Sequence, residues 1–231
     1  MVVSDHRLLG ERTWPEVAGR DDLVLVVPTG STEQHGPHLP LDTDTRIAVA
    51  LADALAASDD RLVVSPPIAV GASGEHAGFA GTLSIGTEVM RSVVVELVRS
   101  ADHFSGVVLV HAHGGNRAAL DAATEQLATE GRRVLVVRAG LPGGDAHAGR
   151  TETSLLLHLA PDVVRLDRAA AGETRPWREL DHVITGQGVI AVSPNGVLGD
   201  PEGANAKEGA TLFAAMCDRA RDDVARWRRA W

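Results

Sequence analysis

Four short runs of valine and leucine set the strongest limit on what this chain can fold into. They span residues 23–27, 62–64, 107–110 and 134–137. None alternates polar with apolar residues, so each reads as a strand buried on both faces. Two-sided burial needs helices above and below the sheet, and the intervening stretches carry helical patterns. Residues 44–57 are rich in Ala and Leu. Residues 88–104 bring Val89, Val93, Leu97 and Val98 to helical spacing, and residues 116–130 do so with Ala119, Leu120, Ala123 and Leu127. Further helices are expected over about 151–159 and from about 204 onward. This alternation predicts an α/β fold: a three-layer α/β/α sandwich with a mostly parallel sheet. The Gly-rich residues 183–200 read as hairpin or loop. No repeat, linker or low-complexity stretch interrupts the pattern, so residues 1–231 are expected to form one domain.

Charge and cysteine content narrow the function. The 22 basic and 31 acidic side chains leave a net charge of −9, which argues against nucleic-acid or anionic-membrane partners. The one cysteine, Cys217, excludes an internal disulfide and a cysteine-built metal site, and its helical context makes it a small buried hydrophobe. Tyrosine is absent, so no mechanism can draw on it. The first residues scatter charge without an apolar centre and do not read as a signal peptide. No apolar run nears the ~20 residues of a membrane-spanning helix. A cytoplasmic location is expected.

In open α/β sheets, ligands gather beyond the carboxyl ends of the strands. Three strand ends here carry His together with Glu or Asn. The first run leads to Glu33 and His35, two apart and therefore on one side of an extended segment. Asp44 follows at the start of a helical pattern. Carboxylate and imidazole donors suit Zn, Mn or Fe. Asp44 also suits a helix cap, and Glu33 and His35 also suit a polar loop. The Gly and Pro density, the strand end and the further histidines favour a metal. The third run ends at His113, followed by Gly114, Gly115 and Asn116, where the backbone can turn sharply and Asn116 can cap a helix. The fourth leads through a Gly-rich loop to His147 and Glu152. Glu152 opens an apolar helix, where a carboxylate also suits the dipole. Glu75 and His76, in another Gly-rich loop, are candidates to line a pocket, while phosphate binding there lacks its fingerprint. His6, His103, His158 and His182 read as structural or solvated. No nucleophile elbow is present, and Cys217 has no loop context. The basic, aromatic tail over 226–231 reads as packing on its own or a neighbouring subunit.

Taken together, PTGSTEQHGPHLPLDTDT, HGGN, HAGRTETS and the later GVLGDPEGANAKEG resemble the creatininase family of metal-dependent amidohydrolases, in the right order over roughly residues 20–220. The first motif is most similar to the mycofactocin-system branch, peptidases that trim a modified precursor peptide in redox-cofactor biosynthesis. The resemblance implies two divalent ions per subunit, Fe or Zn with Mn as a further option. Glu33 and His35 would hold different ions, Asp44 would bridge them, and His113 would ligate one. Glu152 is the candidate for the remaining ligand and a catalytic helper, and His147 matches the family's mobile catalytic histidine. Homo-oligomers, commonly hexamers, are implied. Creatininase itself has a Glu two residues after the strand-end His, where this chain has Gly115. A C-terminal dipeptide leaving a modified peptide is therefore expected, with a small lactam or formamide as the alternative substrate. A metal-binding scaffold without activity is disfavoured by His147. Residues 75–82 and 183–200 are expected to line a pocket for a peptide end. A free carboxylate there needs a cation, and Arg46, Arg117 and Arg150 stand beside the motifs, though each also suits a solvated surface.

Overall fold

The computed structural model describes residues 7–230. Its sheet has four strands: β1 (Val24–Thr29), β2 (Leu62–Val64), β3 (Gly106–His111) and β4 (Val134–Arg138). They lie in the order β2-β1-β3-β4, and every pairing is parallel. The strands fall within two residues of the valine-rich runs. The helices are α1 (Trp14–Ala18), α2 (Thr43–Ala56), α3 (Thr87–Ser100), α4 (Arg117–Thr129), α5 (Arg150–Leu159), α6 (Trp177–Gln187) and α7 (Ala206–Arg229).

The two-residue period of the strands sorts the core into two layers. Val24, Val26, Val108 and Val110 face α2, α5 and α7. Leu25, Val27, Val107 and Leu109 face α3 and α4. Each such side chain, taken fully out of water, contributes about 1.5–3 kcal/mol. The result is the three-layer α/β/α sandwich. Cys217 is buried in α7 among the first layer, as its sequence context implied.

The stretch 183–200 departs from the hairpin-or-loop expectation. Its first residues complete α6, because Leu180 and Ile184 stand four apart and bury against Val189 and Leu198. The remainder is a strap pinned to the β4–α5 loop. His147 and Leu198 form an antiparallel bridge, with the Leu198 N–H donating to the His147 carbonyl at 2.9 Å. This contact joins residues far apart in sequence, so local pattern could not reveal it. Helix α3 ends earlier than expected, at Ser100. His103, His158 and His182 are exposed, as expected, while His6 and Trp231 lie outside the described residues. Trp227 of the tail packs half-buried against the first core layer. Among the described residues no helix is long and apolar enough to cross a membrane.

Candidate metal centre

The loop after β1 is forced close to the start of α2. A Cβ on Gly30 would lie 2.5 Å from the backbone of Thr45, so only glycine allows the approach. That approach sets Glu33 and His35 beside Asp44. The helix begins one residue before Asp44, and Asp42 occupies the cap position without a side-chain cap bond. Asp44 is thus inside the first turn, and its carboxylate does not cap. Asn116 does not cap with its side chain either. Its amide donates to the Gly30 carbonyl at 2.9 Å and accepts from the Ala72 N–H at 2.8 Å, tying two loops together beneath the site.

Glu33, His35, Asp44, His113 and His147 are all buried, and Glu152 is partly so. Asp44 stands at the middle. Its Oδ2 lies 3.1 Å from His113 Nδ1 and accepts from Ser31 Oγ at 2.7 Å. Its Oδ1 lies 3.3 Å from His35 Nε2. Glu33 Oε1 is 3.2 Å from His113 Nδ1, 3.4 Å from His76 Nε2 and 3.8 Å from His147 Nδ1. Glu152 Oε2 is 3.9 Å from His35 Nε2 and accepts from the Ala148 N–H at 2.6 Å. Ala148 itself sits at φ 53, a left-handed conformation that a non-glycine residue adopts at some cost. The six residues expected from sequence therefore converge, and His76 joins them.

Backbone carbonyls fix how the rings face. His35 Nδ1–H donates to the Glu33 carbonyl at 3.1 Å, and His113 Nε2–H donates to the Ala72 carbonyl at 2.9 Å. His147 Nε2–H donates to the Gln34 carbonyl at 2.8 Å. In each ring the other nitrogen is left facing the carboxylates, the orientation that outer-shell partners give to metal-ligating histidines. Gln34, which carried no signal in the sequence, donates from its side chain to His76 Nδ1 at 2.8 Å and to the Gly196 carbonyl at 3.0 Å. It ties the first motif to the His76 loop and to the strap.

Three groups of three ligand atoms lie within 4.8 Å of one another: Glu33, Asp44 and His113; His35, Asp44 and Glu152; and Glu33, His35 and His147. Both Glu33 oxygens are shut off from solvent without a hydrogen-bond partner. A buried carboxylate left so is costly unless something else pairs it. The donor set and that orphaned carboxylate fit a divalent cation.

The buried groups also shift one another's protonation. Burial raises Asp44, but His35 and His113 outweigh it and hold the carboxyl well below the ordinary range. Burial opposes charge on His113, yet Glu33 and Asp44 raise it well above the ordinary value. His147 goes the other way: burial, then the charges of His35 and His76, hold it well below the ordinary range. Its ring centroid lies 4.3 Å from that of His35 and 4.5 Å from that of His76.

Gly115 has a steric reason. A Cβ there would lie 2.3 Å from the Ala72 carbonyl oxygen, 2.3 Å from Glu75 Oε1 and 2.5 Å from His113 Nε2. Glu75 thus fills the space that a side chain at 115 would need. Beside the centre opens a cavity of about 640 Å³, within the roughly 300–1,000 Å³ of small-ligand sites. Its walls come from the ends of β3 and β4, the starts of α2 and α4, the β4–α5 loop, α5 and α7, and neither 75–82 nor 183–200 contributes to them. Long-range packing of α7 over the β4–α5 loop builds it, which no local motif announces.

The sequence profile of the creatininase family, described as creatinine amidohydrolase, matches residues 10–224. The mycofactocin precursor peptide peptidase of Mycobacterium ulcerans is 50% identical over 224 residues, covering 93% of this chain and 86% of that protein. The peptidase of the same name from Mycolicibacterium smegmatis is 51% identical over 210 residues, covering 88% and 85%. A creatininase variant of zinc–zinc type is similar in structure, with a TM-score of 0.80, 26% identity and coverage of 96% of this chain and 98% of that one. This chain belongs to the creatininase family, hydrolases that act on C–N bonds.

Proposed function

We propose that this chain is a metal-dependent peptidase that hydrolyses an amide bond in the modified mycofactocin precursor peptide and releases a C-terminal dipeptide during redox-cofactor biosynthesis. The peptide substrate rests on the relatives, half identical over most of the chain. The chemistry rests on one observation: Asp44 turns one oxygen toward each of two ligand groups. Glu33, Asp44 and His113 would hold one ion, and His35, Asp44 and Glu152 the other. Zinc or iron, with manganese as a further option, suits these donors. Bound there, the ions supply Lewis acidity that lowers the pKa of the attacking water and polarises the scissile carbonyl.

The chain's own residues do the rest. His147 is held neutral, with Nε2–H committed to the Gln34 carbonyl and Nδ1 open toward Glu33. It takes a proton from the attacking water at Nδ1 and returns it to the departing nitrogen, so that the amine leaves neutral. The strap holds His147 through its backbone to Leu198. Homo-oligomeric assembly belongs to this reading, with Leu83 and Val89 among the exposed apolar side chains available to it. The single cysteine supports a cytoplasmic setting.

Metal binding should weaken as pH falls. Burial opposes charge on His35, but Asp44 and Glu152 raise it to about 10, so near neutrality binding must expel its proton. Burial pushes Glu152 up to about 7 against the pull of His35, so below that pH a further proton must leave. Kd measured by chelator competition should therefore rise as pH falls, more steeply below about pH 7. A pH-independent Kd would remove these groups from the ligand set.

Substrate identity is tested by mass spectrometry. The metal-loaded protein is offered the modified peptide, creatinine and a formamide. Dipeptide release from the peptide alone is expected. Ring opening of creatinine without peptide cleavage would replace this reading with the small-lactam alternative.

A further inference from the structure

The cavity beside the centre holds carboxylates of its own, from Asp44, Asp145, Glu152 and Asp223. A substrate carboxylate entering it is repelled unless a cation receives it. Three arginines line the walls: Arg117, Arg138 and Arg219. Arg138 is paired with Asp121 at 2.6 Å. Arg219 donates to the carbonyls of Arg138 and Gly140 at 2.7 and 2.6 Å. Two arginines outside the cavity are also engaged, Arg46 with Asp42 at 2.7 Å and Arg150 with Glu208 at 2.8 Å. The Arg117 guanidinium makes no hydrogen bond or ion pair among the described residues. It starts α4, four residues beyond His113. On the same wall His111, 5% exposed, has no side-chain hydrogen bond, and its Nδ1 is buried without a partner.

We infer that Arg117 is the specificity residue that receives the free C-terminal carboxylate of the peptide, with the His111 imidazole as the polar wall beside it. This rests on the peptide reading above. A guanidinium meets a carboxylate with two parallel N–H donors, which fixes direction as well as affinity. Two extended residues span about 7 Å, so a carboxylate held at a fixed point behind the centre would set the length of the released fragment. The chain would then measure its cut from the peptide's end.

The test compares the precursor peptide as free acid with the same peptide capped as a C-terminal amide, using the metal-loaded full chain and its Arg117→Gln and Arg117→Lys variants. The unchanged protein should prefer the acid by about 100-fold in kcat/KM. Arg117→Gln should lose about that factor on the acid and stay within about twofold on the amide, and Arg117→Lys should fall between. A merely structural role would lower both substrates together. Equal cleavage of acid and amide by the unchanged protein, or an equal loss on both in Arg117→Gln, overturns the assignment while the peptidase reading stands. Cleavage of neither peptide beside efficient opening of creatinine overturns that reading, and this assignment with it.

Discussion

Asp44→Ala should lose metal and peptide hydrolysis together. Asp44 alone belongs to both the Glu33–His113 group and the His35–Glu152 group, with Oδ2 at 3.1 Å from His113 and Oδ1 at 3.3 Å from His35. Its removal takes a ligand from each ion and the negative charge that lies between them. The loss in metal affinity should exceed the roughly 10–100-fold that removing an outer-shell partner costs, and turnover should drop to assay background. Asp44→Asn, nearly the same shape, separates charge from packing. It should fold with an ordinary thermal transition and still lose metal. Full metal content in either variant, read by elemental analysis, would show that Asp44 does not bridge.

His147→Ala should behave in the opposite way, retaining metal and losing kcat by roughly 10²–10⁴-fold. Its Nδ1 lies 3.8 Å from Glu33, farther than the 3.2 Å of His113 from the same oxygen; its ring is held by the Gln34 carbonyl and its backbone by the Leu198 bridge. A third ligand group does join His147 to Glu33 and His35, so the metal content of this variant is decisive. Retained metal with lost turnover makes His147 the proton carrier, whereas loss of one ion would make it a ligand.

The sheet was legible because two-sided burial leaves a run of valines with no polar interruption, and each strand of the structure coincides with such a run. The centre was legible because strand ends of a parallel sheet converge. Glu33, His113 and His147 come from three separate loops, yet lie within 3.8 Å of one another through Glu33. What stayed hidden depends on distant contacts. Gln34 carried no signal of its own; its role appears only where the fold brings His76 and Gly196 to its amide. Asn116 and Asp44 stood where caps belong, but tertiary partners claimed their side chains. Gly115 read as the loss of a carboxylate. The structure adds that Glu75 occupies the space, which no spacing rule connects to position 115. This cavity was not legible because its walls depend on α7 lying against the β4–α5 loop, nearly 80 residues away in the case of Arg219 and Gly140.

Metal dependence of peptide cleavage tests the two-ion peptidase most directly. The protein is stripped with a chelator, verified as metal-free by elemental analysis, and assayed on the modified precursor peptide before and after divalent zinc, iron or manganese is returned. The stripped chain should release no dipeptide, and activity should return as metal content approaches two ions per chain. Undiminished release of the dipeptide by the verified metal-free chain would contradict the assignment of Glu33, His35, Asp44, His113 and Glu152 as the ligands of a catalytic metal pair.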